Sequence, residues 1–312
     1  MTASISAGFS WQYLLLRALW GVSRLLPMRH SGAVGAALMG FIGPRSRRQR
    51  KIEQNLNAAF PDLTAPEVRA ITRGIWRNFG RTLAEYALIG DIFAKGVDRA
   101  PFDFDIAPET AEIIASGQPM IFVGAHISNW EFAALGARLH GVPLAVVYSA
   151  LQIPLIDEAI RRARDGMGCV SVERASGLRS LVKCLSSGQS VGFLLDRRMK
   201  SGAEVTFFGR PTYFSHAPAR LAIKFGRPLV PNFVSRRRDG RIVVHALAPI
   251  WPETDCKSAD AAAAALTERL IGIIEAEIRK RPQDWLCTQR IWPALENSPA
   301  EGRRAALISS DV

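Results

Sequence analysis

Ile121-Phe122-Val123-Gly124-Ala125-His126-Ile127-Ser128-Asn129-Trp130-Glu131 decides the architecture of this chain. Residues 120–124 are an unbroken apolar run, too short for a helix, and read as a strand buried on both faces. The run gives way to a Gly, a His and a polar break. A helical period then runs over 129–140 and stops at Gly141. A buried strand feeding directly into a helix is the repeating step of a parallel α/β sheet.

The step recurs along the chain. Residues 144–148, 169–172, 191–195, 229–234 and 242–246 read as strands. Between and after them, 156–165, 177–187, 218–225 and 259–280 read as helices, closed by Gly188, Gly226 and Pro282 where punctuation is present. Upstream, 66–89 carries apolar residues at helical spacing. The expected fold class is α/β, with a central, mostly parallel sheet flanked by helices on both faces. Nothing between 100 and 290 reads as a linker, so one catalytic domain is expected over 46–296, with an N-terminal helical segment over 1–45 and a tail over 297–312.

The N-terminal segment has its own chemistry. Residues 10–27 are apolar but carry Arg17 and Arg24 near one helical face, with Trp11, Tyr13 and Trp20 suited to the headgroup level of a bilayer. The Gly/Ala-rich run 33–42 is about half of the ~20 residues a membrane span needs. Behind it stand Arg45, Arg47, Arg48, Arg50 and Lys51, a basic knot of the kind that holds anionic headgroups. A membrane-associated helix at the cytoplasmic face is expected. A single span and an amphipathic helix packed on the protein's own core are the alternatives. A cleaved signal peptide is not expected, because no small-residue cleavage site follows the apolar run.

Composition narrows the classes of function. The formal net charge is +12 over 312 residues, which points to an anionic partner. The basic residues are not interleaved with aromatic residues in a recognisable nucleic-acid motif, so no nucleic-acid partner is expected. Cys169, Cys184, Cys256 and Cys287 are scattered, which suits reduced thiols and not a zinc site. No phosphate-binding loop, dinucleotide fingerprint or serine-nucleophile elbow is present. No cofactor and no metal are expected.

Of five histidines, His126 falls where α/β sheets bind ligands, beyond the carboxyl end of a strand. Glu131, in the first helical turn, can reach back to one ring nitrogen and leave the other as a base. The following helix N-terminus presents N–H groups suited to an oxyanion. An equally simple reading makes Ser128-x-x-Glu131 a capping box. His30, His140 and His245 read as structural, and His216 as a candidate for lining the site. Arg236-Arg237-Arg238-Asp239-Gly240 reads as a solvated hairpin turn.

His126-x-x-x-x-Glu131 after an apolar strand resembles the signature of the late acyltransferases of lipid A biosynthesis, and the resemblance continues in order along the chain. Asn55-Leu56-x-x-Ala59-Phe60-Pro61 is similar to that family's opening motif, and Gly124-Ala125-His126-x-Ser128-Asn129-Trp130-Glu131 to its catalytic block. Arg164 falls where the family carries a functional arginine. Asp196-Arg197 resembles its second acidic motif, Phe207-Phe208-Gly209-x-Pro211-Thr212 its Phe-Phe-Gly block, and Pro282-x-Asp284-Trp285-Leu286 its closing block. In place of the family's usual aromatic, histidine and paired basic residues stands Cys287-Thr288-Gln289-Arg290, so acceptor or donor choice is expected to differ.

The resemblance implies a glycerolipid-acyltransferase-like fold at the cytoplasmic face of the cell inner membrane, among its lipids. It implies acyl carrier protein as thioester donor and a phosphorylated, Kdo-bearing lipid A precursor as acceptor. It makes His126, Glu131 and Arg164 catalytic, with Asn129, Asp196, Arg197, Phe208, Gly209 and Arg290 binding substrate. Another glycolipid, such as a phosphatidylinositol mannoside, is the alternative acceptor. Asp196 has two open readings: it orients Arg197 or Arg198, or it is a strand end satisfied by a turn.

Overall fold

The apolar run opening that stretch forms strand β2 (Ile121–Gly124), buried along its whole length, and the remaining strands assemble around it. The computed structural model of the chain describes residues 11–174, 178–199, 202–237, 239–253 and 258–293. Lys200, Arg238, Cys256, the start of the helix expected from 177 and the tail over 297–312 lie outside the described residues.

In chain order the elements are α1 (Trp11–Leu25), α2 (Met28–Ile42), α3 (Gln49–Ala59), α4 (Ala65–Glu85), α5 (Ile89–Lys95), β1 (Phe102–Ile106), α6 (Pro108–Ser116), β2, α7 (Glu131–Leu139), β3 (Leu144–Tyr148), α8 (Pro154–Asp165), β4 (Val170–Glu173), α9 (Leu178–Ser186), β5 (Ser190–Leu194), β6 (Ala203–Phe207), β7 (Arg210–Phe214), α10 (Ala217–Phe225), β8 (Leu229–Arg236), β9 (Ile242–Ala246) and α11 (Ala259–Lys280). Seven strands form one sheet in the order β1-β9-β8-β2-β5-β3-β4. Every neighbouring pair is parallel except β8 and β9. The expected α/β class with a mostly parallel sheet is therefore the observed one.

Alternation along the strands splits the core in two. Ile121, Val123, Val191, Phe193, Leu229 and Phe233 join one cluster with residues of α3, α4, α9, α10 and α11. Met120, Phe122, Leu144, Val230, Val234 and Val244 join the other with residues of α1, α5 and α7. Period-2 side chains on a sheet covered on both faces give this division directly.

Two elements escape the apolar pattern. β1 reads Phe-Asp-Phe-Asp-Ile, with residues of low strand propensity at alternate positions, and it lies at the sheet edge where they reach solvent. The β6–β7 hairpin turns on Phe208 and Gly209, with φ of 51° and 69°, and closes the Phe207–Arg210 pair. Two consecutive positive φ values are the geometry of a type I′ hairpin. Phenylalanine is costly there. Its ring compensates by packing on Trp285 and Phe60, while its N–H donates to the Glu275 carboxylate at 2.6 Å.

The N-terminal helices join the same body. α2 crosses α4 with no side chain between the backbones: a Cβ on Gly35 would stand 2.1 Å from the Gly80 carbonyl oxygen, and one on Gly80 would stand 2.0 Å from that of Gly35. The Gly/Ala richness of 33–42 thus serves a close helix crossing. From α1, the Trp20 indole N–H donates to the Leu83 carbonyl at 2.8 Å, and Leu16, Leu19 and Trp20 are buried. Among the described residues no helix is long and apolar enough to cross a membrane. The opposite faces of α1 and α2 expose Trp11, Leu14, Val22, Leu25, Val34 and Phe41.

The hairpin turn is exposed at Arg237 and Asp239, as expected, while Arg236 at its base is largely buried. Arg236 pairs with fully buried Glu85 at 2.5 Å, and Arg237 and Arg241 both pair with Asp103 of β1. His245 bonds Ser235 Oγ at 2.8 Å and Asp105 at 2.9 Å, linking β8, β9 and β1. That order of groups mimics a nucleophilic triad. Ser235, however, is buried mid-strand with its backbone in the β8–β9 ladder, so the chain of contacts is structural.

Gly80→Ala is expected to destabilise the protein by about 1–3 kcal/mol or more, the range of overpacking. Gly21→Ala, where a Cβ meets nothing within 4 Å, should be neutral or stabilising by up to ~1 kcal/mol. Paired urea melts distinguish the two.

Candidate active site

Beyond the carboxyl end of β2 the chain enters a buried loop, 125–130, rich in hydrogen-bonded polar groups. β2 and β5 run parallel, with Gly124 opposite Leu194, and Leu195 N–H continues the ladder to the Gly124 carbonyl. Two residues further along both strands, the same register sets His126 beside Asp196. His126 Nδ1 and Asp196 Oδ1 are 2.7 Å apart. A carboxylate only accepts, so the imidazole carries its proton on Nδ1 and presents Nε2 as an acceptor.

The partner expected from the sequence was Glu131, and the structure corrects it. Glu131 is buried and accepts from four donors: Arg164 Nε at 2.9 Å, Arg164 Nη2 at 2.6 Å, the Tyr86 hydroxyl at 2.6 Å and the Trp130 indole at 2.9 Å. Three of these donors meet Oε1 and Arg164 Nε meets Oε2, and His126 is not among them. Glu131 reaches the imidazole indirectly, by fixing Trp130, whose ring packs edge-on against His126 at 5.0 Å between centroids.

Arg164 changes role with it. Its fork grips Glu131 in a bidentate pair with both side chains nearly buried, which ties the guanidinium to that carboxylate. The capping box is absent as well. Ser128 adopts φ of 52°, outside the extended region an N-cap needs, and α7 begins at Glu131 behind an uncapped Trp130. Asn129 Oδ1 accepts from the Glu131 N–H, and the Asn129 carbonyl accepts from Phe132. These amides of the helix N-terminus are therefore occupied, contrary to the oxyanion role expected for it.

The residues expected to bind substrate divide sharply. Asp196 belongs to the dyad. Arg197 stands beside it, half-buried. Asn129 is 1% exposed, and its amide donates to Glu85 at 2.9 Å, so it is a scaffold residue. Phe208 is buried and stacks on Trp285, and Gly209 is the exposed hairpin turn. Arg290 lies half-buried in the closing segment. His216 takes Thr267 of α11 as its partner, and His140 bonds the Gly136 carbonyl. Among the described residues no group of three or more His, Cys, Asp or Glu is placed to hold a metal.

Electrostatics keep the dyad ready as a base. Burial pushes the His126 pKa below its ordinary 6.5, against the opposing pull of Asp196. Burial pushes Asp196 up, but the facing imidazole and Arg197 outweigh it and hold the carboxyl below the usual range. Burial also opposes ionisation of Glu131, and Arg164 overcomes it. Burial raises the Cys169 thiol to about 12 and moves Cys287 the same way, so neither serves as a thiolate near neutrality.

A buried His–Asp pair at a sheet's carboxyl edge, with no serine or cysteine bonded to it among the described residues, suits deprotonation of an acceptor hydroxyl. Sequence comparison matches residues 4–293, nearly the whole chain, to one group of bacterial enzymes. The chain belongs to the bacterial lipid A biosynthesis acyltransferase family. It is 28% identical over 314 residues to a phosphatidylinositol mannoside acyltransferase of Mycobacterium tuberculosis, covering 96% of this chain and 92% of that one. A protein of the same name from Mycolicibacterium smegmatis is 26% identical over 197 residues, 62% of each chain. Among solved structures, a 1-acyl-sn-glycerophosphate acyltransferase from Thermotoga maritima covers 74% of this chain and 98% of its own at 18% identity, with a TM-score of 0.35. This lipid A-type acyltransferase thus pairs His126 with Asp196, 70 residues further along the chain, and not with Glu131.

Asp196→Asn should cut kcat by about 10²–10⁴ while changing stability little, because an asparagine amide facing Nδ1 forces the wrong tautomer. Glu131→Ala should instead cost about 3–5 kcal/mol of stability, the penalty for a buried cation left unpaired. Activity and urea melts measured on both variants separate the roles. In the wild type, kcat should hold through neutrality and fall only on acidification below pH 6.5, since the depressed His126 pKa keeps the base form until then.

Proposed function

We propose that this acyltransferase moves a fatty acyl group from an acyl carrier protein thioester to a hydroxyl of a Kdo-bearing lipid A precursor. The observation supporting the chemistry is the buried His126–Asp196 contact with Nε2 left as the accepting nitrogen. Nε2 removes the proton of the acceptor hydroxyl, and the oxygen attacks the thioester carbonyl. The tetrahedral intermediate collapses, the C–S bond breaks, and the imidazolium returns the proton to the departing thiol. Asp196 stabilises the imidazolium while it exists. No enzyme-bound acyl intermediate is needed.

Two features support an anionic glycolipid acceptor. Arg197 stands beside the dyad, its pKa lowered by burial and by the like charges of Arg48 and Arg174. A crowded cationic flank of that kind gains from an anionic group such as a phosphate. The second feature is the resemblance to proteins named for acylating phosphatidylinositol mannoside, which supports that lipid as a second reading of the acceptor.

The site would meet such lipids at a bilayer surface, the inner membrane's cytoplasmic face in a Gram-negative cell. Among the described residues, α1 and α2 carry six of the ten large exposed apolar side chains, with Arg45, Arg47, Arg48, Arg50 and Lys51 close behind. A buried inner face and an apolar outer face flanked by basic residues suit an in-plane helix pair. α1 is 15 residues long, about 22 Å at 1.5 Å per residue, short of the hydrocarbon core.

Purified enzyme with acyl carrier protein thioesters and each acceptor in turn, analysed by mass spectrometry, tests the reading. One added acyl group on the lipid A precursor, lost in His126→Ala, is the expected result. Gain on the phosphatidylinositol mannoside alone would move the acceptor to the second reading. No gain on either lipid from folded protein would refute glycolipid transfer. For the surface, Leu25→Glu with Phe41→Glu should weaken sedimentation with anionic phospholipid vesicles at least ten-fold and leave the melting temperature unchanged.

A further inference from the structure

Asp196 has two carboxylate oxygens, and the reaction as proposed uses one. Oδ1 accepts from His126, whereas Oδ2 accepts from the Trp285 indole N–H at 3.1 Å. Trp285 is fully buried, and an antiparallel bridge of two backbone hydrogen bonds locks the segment around it to the catalytic loop. The bridge pairs Ile127 with Trp285: Ser128 N–H donates to the Asp284 carbonyl at 2.9 Å, and Leu286 N–H donates to the His126 carbonyl at 2.8 Å. The indole is held from behind by Phe208, stacked at 5.9 Å and 18°, with Phe207 edge-on at 5.9 Å.

We infer that Trp285 is a positioning residue of the dyad: its N–H fixes the Asp196 carboxylate rotamer and draws off part of its charge, which sets the basicity of His126. The His126 ring and backbone N–H both donate to this carboxylate, and the indole adds the donor that holds its second oxygen, Oδ2. Gripped at both, it offers Nδ1 a single fixed acceptor. The N–H also competes with the imidazole for the same negative charge, so removing it leaves more charge facing the ring. The sign follows: loss of the donor stabilises the imidazolium and raises the pKa of His126. This function of the C-terminal segment also explains the left-handed Phe208, which keeps the indole plane in place.

Trp285→Phe keeps the aromatic fill and removes only the donor. The decisive readout is the titration of the His126 ring, followed by NMR with ring-labelled histidine and assigned with His126→Gln. Its pKa should rise in the variant, and the acid limb of kcat should move the same way. A kcat loss of ten-fold or more is expected, the scale of one hydrogen bond to a charged group. In an Asp196→Asn background the same substitution should cost nothing further, because the two residues act as one unit. An unchanged His126 pKa, or losses that simply add, would overturn the inference and leave Trp285 as packing. Should the phenylalanine variant melt early, benzothienylalanine at 285, which exchanges the N–H for sulfur within the same outline, supplies the same readout. The kinetic arm rests on the proposed acyl transfer. The titration does not, so an enzyme inactive on every lipid would refute that transfer and still decide this point.

Discussion

A carboxylate withdrawn from water must be met by donors, and three such groups converge on one short loop. Glu85, Glu131 and Asp196 are 0%, 3% and 3% exposed. Desolvating each unpaired would cost several kcal/mol, so the fold is obliged to bring cations and N–H groups to them. Glu131 draws in α8 through Arg164 and the end of α4 through Tyr86. Glu85 draws in β8 through Arg236 and the loop through Asn129. Asp196 draws in His126 from β2 and Trp285 from the C-terminal segment. The loop is thereby fixed from three sides, and Ser128 can be held at a φ that an isolated serine avoids.

This arrangement separates two acids that sequence spacing alone confuses. Glu131 lies five residues from His126 and could reach it in isolation. What decides is which donors meet it. A bidentate guanidinium with two further N–H and O–H donors holds Glu131 in place, while Asp196 meets the imidazole through the β2–β5 register. Charge still couples them, because Glu131 raises the His126 pKa weakly through space. The direct hydrogen bond belongs to Asp196, and Glu131 contributes by holding Trp130 against the ring.

Much of the sheet was legible because its strands are buried on both faces and read as apolar runs; β2, β3, β5, β8 and β9 were found within a residue or two. β1 was not, since alternating aspartates on an edge strand erase the signal. The β6–β7 hairpin was missed because its tip carries phenylalanine where asparagine or glycine would announce the turn. His126 and its place beyond a strand end were legible, and its partner was not. Strand order is a tertiary fact: only once β2 and β5 are known to be parallel neighbours does Gly124 opposite Leu194 imply His126 opposite Asp196. Asn129, Phe208 and Gly209 looked functional from their motifs because scaffold and site share the same short segments.

The closing segment shows how that sharing tolerates change. Asn55 of α3 donates to the carbonyls of Cys287 and Gln289 at 2.8 and 2.6 Å and accepts from the Ile291 N–H. Those three bonds are to backbone and do not depend on the identity of residues 287–289, while the Cys287 thiol adds a side-chain contact to Asn55. Trp285 is different: its ring and its N–H are both engaged. The segment is therefore read by side chain at one position and by backbone at the next few. A cysteine, threonine and glutamine can stand after the tryptophan without disturbing the dyad. Cys287 and Thr288 are buried and only Gln289 of the three is exposed, so it is the residue of that stretch able to meet a partner in solution.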